Sequence, residues 1–513
     1  MESENNKKIH PLFPFMAVGS FVYAFFYALC LYQNKNGITF PFFVGGTCFF
    51  FFYFLKKSGR TAKKFSIFLT ISLMLLGFST CMTDAWTLLF LNKLGIFLLF
   101  FYLMLHCFYE DKKWDLGTYF FNICDVILGS LAYLMKPFTE LSAYCKERQG
   151  SKEKMPGNGK YVLYGLLISV PMLFVILLLL GSADAVFGNL LENLFTFDMN
   201  KKWGKHAFQI TGLFLFAFFS AFCLMYRLSE RNFEEEISDK RTKQPVIAIT
   251  FTSVLSFVYA VFCLIQVVFL FGGIGTLPEG YTYASYAREG FFQLVFVCMI
   301  NLSLVLICKK YFKNHAVLNG LLTFVCGCTY IMIFSSAYRM ILYIKVYQLT
   351  FLRVFVLWAL LVIFLLVTGA LIKVYRNDFP LVKSYAVTVT VLYLLFSFAH
   401  PDYWIAKYNL DHTYIKVYNE SADKITYDLA ETQDLHYISK LSKDAAPVIF
   451  AKMTDIRNHT DPDKWYPSKE YIETYWWFTD YQYNIINDYV NLDKNPLKFN
   501  FSKYRAIQIN KDY

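Results

Sequence analysis

The side chains best placed to do chemistry in this sequence lie in and beside apolar runs. The stretch YASYAREGFFQLVFVCMINL, residues 283–302, opens with charge and ends as a membrane segment. Arg288 and Glu289 stand at its start, and Gln293 and Asn301 lie inside it. Ionisable groups at membrane depth are costly and mark ion pathways, counter-ions and ligand sites. Glu289 and Gln293 are four residues apart, so they share one helical face and can line one cavity. Asn301 lies about 18 Å deeper at 1.5 Å per residue. It is turned about 120° away, so it reads as a hydrogen-bonding link to a neighbouring helix.

Three further segments supply charges that could join this set. GSADAVFG brings Asp184, and SAYRMILYIKVYQLTFLR brings Arg339, Lys345 and Arg353. A basic pocket suits an anionic ligand, such as a lipid phosphate or a small molecule, with Glu289 as coupling or gating acid. The same charges suit ion pairs that hold helices in register. The residues alone leave both uses open. A looser group, His400, Asp402, Asp411 and His412, follows the last apolar run. Its spacing fits no metal-ligand pattern, and it reads as a solvated helix exit.

The elements that must position these residues are membrane helices. The chain has 513 residues, is 56% hydrophobic and only 17% charged, and contains 56 Phe and 38 Tyr. Its mean hydropathy is +0.39. Such a composition excludes an ordinary soluble domain. Runs of about 20 apolar residues, the length needed to cross a bilayer, occur at 11–32, 38–55, 65–83, 87–109, 161–180, 205–227, 246–271, 290–308, 318–335, 351–373 and 383–399. The fold class predicted is an all-α integral membrane protein, a polytopic bundle of about eleven spans. The first run follows Lys7 and Lys8 but no small-residue cleavage pattern, and reads as a retained span.

Charge sets the expected orientation. With residues 116–135 left out of the count, Lys56 to Lys64, Lys112 to Lys160, Arg227 to Lys243, Lys309 to Lys313 and Lys373 to Lys383 share one side. That side is cytoplasmic by the positive-inside rule. A twelfth span at 116–135 would invert the sign halfway. The segment is instead predicted to lie in the plane of the inner interface, because Tyr119, Phe120, Ile123, Ile127, Leu131 and Leu134 recur at helical spacing. This places the N-terminus inside and the C-terminus outside. The expected parts are N-terminal Phe-rich spans 1–110, a cytoplasmic segment 111–160, a membrane bundle 161–399 and an extracytoplasmic domain 400–513.

Residues 400–513 hold 14 Lys and Arg against 17 Asp and Glu, while the whole chain carries +11. The basic excess therefore belongs to the membrane part and is a topology signal. No reading motif accompanies it, so nucleic acid is not expected as a partner. The tail is expected to be a small, mainly helical domain. ETYWWFTDYQYNIINDYV within it reads as an aromatic core helix. All 12 Cys lie between Cys30 and Cys328, mostly in apolar runs where a thiol is a small hydrophobe.

No common catalytic signature is present. PGNGK at 156–160 lacks the phosphate-loop spacing, and there is no HExxH, GxSxG or CxxC. No cofactor, metal or catalytic residue is expected, and the reading leans away from an enzyme. The blocks GSADAVF, YAREGFFQL, SAYRMILYIKVYQLTFLR, HPDYWIAKYN and DLHYISKLSKDAAP resemble a bacterial family of multi-pass membrane proteins known only as a domain of unknown function. The likeness covers roughly residues 160–450. The family usually has Asn where this chain has His400, and Gly where it has Gln348. The resemblance implies a plasma-membrane protein with an external tail and brings no activity. The function expected first is a transporter or permease with a polar site in the outer half of the bundle. The alternatives are an envelope sensor or scaffold that binds a protein partner through its tail, and a membrane enzyme acting on a lipid-linked substrate.

Overall fold

A computed structural model describes residues 9–34, 36–112, 114–148, 176, 180, 184, 201–230, 241–268, 291–419, 424–429, 435–459, 469–492 and 496–513. The N-terminal part holds α1 (Phe13–Leu31), α2 (Thr39–Lys57), α3 (Phe65–Met82), α4 (Trp86–Phe108), α5 (Leu116–Ser130), α6 (Lys136–Arg148) and α7 (Lys201–Glu230). Then come α8 (Pro245–Gln266), α9 (Phe291–Tyr311), α10 (Ala316–Tyr347), α11 (Phe351–Tyr375) and α12 (Leu381–Phe398). Beyond the last of these lie α13 (Pro401–Thr413), strands β1 (Tyr414–Asn419) and β2 (Lys424–Leu429), α14 (Leu435–Ser439), α15 (Ala446–His459), α16 (Lys469–Leu492) and α17 (Phe501–Asp512).

Eleven of the described helices are long and apolar enough to cross a membrane. The protein is a multi-pass, all-α membrane protein. Its spans keep large apolar side chains on the outside, such as Phe25 (64% exposed) and Phe257 (73%). In a lipid solvent that is the stable arrangement, because backbone groups are satisfied within each helix and only apolar side chains face out. The expected span 161–180 lies outside the described residues, apart from isolated positions. Residues Leu116–Tyr133 do qualify as a span by length and composition. The tail, expected to be mainly helical, also carries one antiparallel hairpin, β1 with β2, pairing Tyr414 with Leu429 through Asn419 with Lys424.

The chain divides into two compact units, residues 1–78 with 95–234, and residues 79–94 with 235–513. In the first, α1 lies antiparallel to α7. Phe13 meets Phe222 at 6.2 Å between ring centroids, and Tyr32 meets His206 at 6.0 Å. The end marked by Phe13 also holds the end of α2 and the end of α4, where Phe54 stacks on Phe108 at 5.5 Å. Both ends of α5 meet this same end. Asp115 caps the helix start by accepting the Thr118 N–H at 2.8 Å, and Tyr119 packs on Tyr102 of α4 at 4.8 Å. Farther along, Asp125 accepts from Arg227 of α7 at 2.9 Å, and the Tyr133 ring lies 5.0 Å from that of Tyr226.

In the second unit, α8 to α11 pack around Cys298, Leu322, Val325, Met332, Leu360 and Val367. Asn301 sits at their centre, 1% exposed. It accepts from Tyr259 of α8 at 2.6 Å and donates to Thr329 of α10 at 3.0 Å. It is the interhelical link that its depth and rotation imply. The helix α10 is longer than the run 318–335, continuing to Tyr347. Arg339 and Lys345 are therefore helical residues, not loop residues. Tail residues form their own core of Ile449, Phe450, Met453, Trp477, Phe478 and Tyr481, against which Phe351 and Val354 of α11 also pack. The turn into α11 is clasped from the tail. Asn409 accepts the Leu349 N–H at 2.8 Å and donates to the Leu349 carbonyl at 2.8 Å, and Tyr437 accepts the Phe351 N–H at 2.8 Å.

Losing a single interhelical hydrogen bond in a membrane bundle costs about 0.6 kcal/mol on average, and Asn301→Leu strands two partners. Its unfolding free energy in detergent is expected to fall by about 1 kcal/mol. Gln293→Leu, on the exposed first turn of α9, is expected to leave it unchanged. Equal losses would show that Asn301 is not the link.

Candidate functional site

Among the described residues of the second unit, a dense knot of buried polar groups surrounds Asp444. Three chain regions build it. The α3–α4 hairpin supplies Thr83 and Asp84 at its tip, the exit of α12 supplies His400, and the tail supplies Asp444 and Ser502. The Asp444 side chain is 1% exposed. Its carboxylate accepts from Thr83 Oγ1 at 2.5 Å, from the Asp84 backbone N–H at 3.0 Å and from Ser502 Oγ. His400 Nδ1 lies 3.0 Å from it. Asn500 donates to the Thr83 carbonyl at 2.9 Å, which fixes the hairpin tip from a second side. The Asp84 carboxylate pairs with Lys503 at 3.2 Å and Lys443 at 3.7 Å.

Backbone geometry serves the knot at His400 and the turn before α11 at Gln348. His400 has φ +48° and Gln348 φ +63°, left-handed positions that cost a side-chain-bearing residue free energy. Pro401 follows at the first turn of α13, where its missing N–H is no loss. These are the two positions at which the resemblance implies Asn and Gly, residues that adopt this backbone more readily. Here His400 turns its ring onto Asp444, and Gln348 donates to Thr413 at 3.2 Å.

Two buried carboxylates in the knot are driven apart. Burial pushes the Asp444 carboxyl up, but hydrogen bonds from His400, Ser502 and Thr83, with the charge of His400, more than reverse this and hold it below the usual carboxylate range. Asp402, which accepts the Ser442 N–H at 3.2 Å, is raised by burial and by the negative charges of Asp444 and Asp84. Tyr481 donates to the Ser442 carbonyl at 2.9 Å, and its burial raises it well above the ordinary phenol value. The arrangement shifts two neighbouring carboxyls in opposite directions between hairpin and tail. A smaller polar network continues along the same helices. Asn92 accepts from Tyr393 at 2.7 Å and from Ser397 at 2.9 Å, and donates to Ser79 at 3.2 Å.

The sequence-derived set falls differently. Arg288 and Glu289 lie outside the described residues. Gln293 is exposed on α9, and Asp184 is exposed with its N–H 3.1 Å from the Leu180 carbonyl. Arg339 is buried and donates to Gln266 Oε1 at 3.3 Å, which also accepts from Ser335 at 2.7 Å. Lys345 is exposed on α10. Arg353 donates to the Tyr347 carbonyl at 2.5 Å and to that of Gln348, and covers the Tyr343 ring at 4.3 Å. A cation there satisfies the last carbonyls of α10 and its dipole. The group His400, Asp402, Asp411 and His412 splits in two. His400 and Asp402 turn into the knot, while Asp411 pairs with Lys452 at 3.2 Å and His412 stacks on Tyr408 at 4.0 Å. Among the described residues no group of His, Cys, Asp and Glu could hold a metal ion.

The model of the family described as domain of unknown function (DUF4153) matches residues 70–451, about three quarters of the chain. The chain belongs to the DUF4153 family. No curated protein matches it, and no solved structure does. The DUF4153 match includes Thr83, Asp84, His400, Asp402 and Asp444, while Asn500, Ser502 and Lys503 lie beyond it. The hairpin tip TDAW falls where the apolar runs 65–83 and 87–109 meet, and sequence reading did not single it out. The one signal that could have found the knot was Asp444 within the DLHYISKLSKDAAP block, an acid placed directly before the apolar run AAPVIFA.

In this DUF4153 protein, Asp444→Ala strands several buried donors and a neighbouring imidazole, and breaking such a pair costs about 3–5 kcal/mol. The two carboxyls should separate by pH. A carboxyl held low stabilises the fold above its unfolded value and loses that contribution as pH falls through its lowered one. A carboxyl held high is stabilising in its neutral form and becomes a penalty as pH rises through its raised value. Asp444→Asn should therefore flatten the acid limb of a Tm–pH profile in detergent. Asp402→Asn should raise Tm at neutral pH. The opposite pattern would mean the charges are assigned the wrong way round.

Proposed function

We propose that the protein is an envelope sensor or scaffold of a bacterial plasma membrane. Its N-terminus is cytoplasmic, and its C-terminal domain is extracytoplasmic and binds a protein partner. The observation that carries this reading is the Asp444 knot, which keys the tail to the hairpin tip of α3 and α4 and to the exit of α12. A domain joined to helix ends by a buried charge cannot shift without disturbing those helices. Binding on the domain would then bias the bundle, as interface-coupled switches require.

The orientation rests on the distribution of Lys and Arg among the loops. In that frame α5 lies along the inner interface. This is supported by the meeting of both its ends with one end of the first unit, where Arg227 and Tyr102 contact it. Alkaline phosphatase fused after Tyr513 should be active. Cysteines placed at Gly117 and Leu131 in a chain stripped of native Cys should react with an impermeant maleimide from the same, cytoplasmic side. An inactive but well-expressed fusion, or labelling from opposite sides, would overturn the orientation.

A second reading, a transporter for an anion, is favoured by one observation. Arg339 is a buried cation within a long apolar helix, held by Gln266, and such residues mark ligand and ion sites. Arg288, Glu289, Gln293, Lys345 and Arg353 of the same unit would complete that site, with Glu289 as coupling acid. Complementation of a deletion strain under envelope stress separates the two at matched expression. The sensor reading expects Glu289→Gln to restore growth and Asp444→Asn to fail. The reverse result would favour transport.

A further inference from the structure

We propose that the second unit holds an anionic phospholipid at the basic end of α8 and α9, with the phosphate on Lys243 and Lys310 and one acyl chain in the groove between the helices. The headgroup end is built by a backbone strap. Lys243 forms a parallel bridge to Phe312, its N–H donating to the Tyr311 carbonyl at 3.1 Å and its carbonyl accepting the Lys313 N–H at 3.1 Å. This seats Lys243 Nζ 5.6 Å from the Tyr311 ring centroid, while Lys310 Nζ lies 5.1 Å from the same ring. Two cations are thus brought to one aromatic side chain by segments that are far apart in sequence. The strap 241–244 and the turn 309–315 carry Arg241, Lys243, Lys309, Lys310 and Lys313 and no acidic residue. Lys309 is engaged inside the fold, donating to the Val374 carbonyl at 3.0 Å and to Asn314 at 3.0 Å.

An apolar groove of about 510 Å³ adjoins this end, lined by Phe251 of α8 and by Phe296, Ile300, Ser303, Leu304 and Ile307 of α9. The Phe251 ring meets that of Phe312, beside the strap, at 6.3 Å. On α9 these positions recur at helical spacing, and the next step of the stripe is Lys310 and Tyr311. From Phe296 to Ile307 the groove runs about 16 Å at 1.5 Å per residue. Half of a hydrocarbon core of about 30 Å is nearly the same length. A groove one leaflet deep, apolar along its length and capped by cations, matches a lipid with an anionic head. A neutral lipid would leave the cap unused, and a free anion would leave the groove unused. Basic pockets of this kind between membrane helices are a known mode of headgroup binding.

The test uses the full chain, delipidated in detergent, with phosphatidylglycerol and phosphatidylcholine of equal chain length titrated and read by native mass spectrometry. Phosphatidylglycerol is expected to bind about tenfold tighter, from two cations each adding about fivefold at most. The preference should shrink as salt rises. Lys243→Gln with Lys310→Gln should abolish the preference and spare phosphatidylcholine binding. Ile300→Trp, which fills the groove, should weaken both lipids. Inorganic phosphate should fail to displace phosphatidylglycerol. Equal affinity for the two lipids in the wild type would overturn the proposal. So would a preference that survives the double substitution, or full displacement by inorganic phosphate, which would leave a simple anion site. The salt dependence is read on the wild type alone, so the proposal stays testable if a variant fails to fold.

Discussion

A carboxylate taken out of water must be given back every hydrogen bond that water supplied, and Asp444 is where this chain meets that demand. The Asp444 side chain is 1% exposed, and an uncompensated charge at such burial is far more costly than most folds can bear. Donors from the hairpin tip, from the exit of the last membrane helix and from the final helix converge on it. The position of the tail on the second unit follows from that convergence. The clasp of Asn409 and Tyr437 on the turn before α11 fixes the same tail at a second place. Two separate attachments of this kind define an orientation as well as a contact.

Within the bundle the polar residues obey the same rule in a drier solvent. Asn301, Asn92 and Arg339 each find partners on other helices or on a neighbouring glutamine. In the first unit, Asp111 beyond the end of α4 is held by His106 at 2.5 Å, by Tyr119 and by Lys63. Burial raises its carboxyl, but these bonds and charges more than offset that and keep it low. Polar groups in such places are satisfied side chain to side chain, since the backbone is already occupied in the helices.

Much of this architecture was legible from residue type and spacing. Apolar runs of membrane length gave the helices, because no other signal in a sequence is as long or as one-sided. Asn301 could be read as a link because depth and rotation along one helix are arithmetic. The length of α10 was missed, since SAYRMILYIKVY looks like a loop when Arg339 and Lys345 are counted as breakers. In the structure Arg339 is matched by Gln266, a partner that linear spacing does not reveal. The tail hairpin was missed because two six-residue strands carry little periodicity. The Asp444 knot was invisible for a deeper reason. Its members are scattered from Thr83 to Ser502, and each alone looks like a common loop residue.

That scatter bears on how the chain assembles. The contact of Thr83 with Asp444 spans 361 residues, and that of Asn500 with the Thr83 carbonyl spans 417. Helices can insert one after another as they are made, but this knot has to wait until residues 500–502 have been made. Until Ser502 emerges, Asp444 can meet the hairpin tip and His400 but lacks its donor from the final helix. The knot therefore closes late, after the helices it joins. A chain stopped before Asn500 would carry all the described membrane helices and still lack the donors from α17 that close the knot.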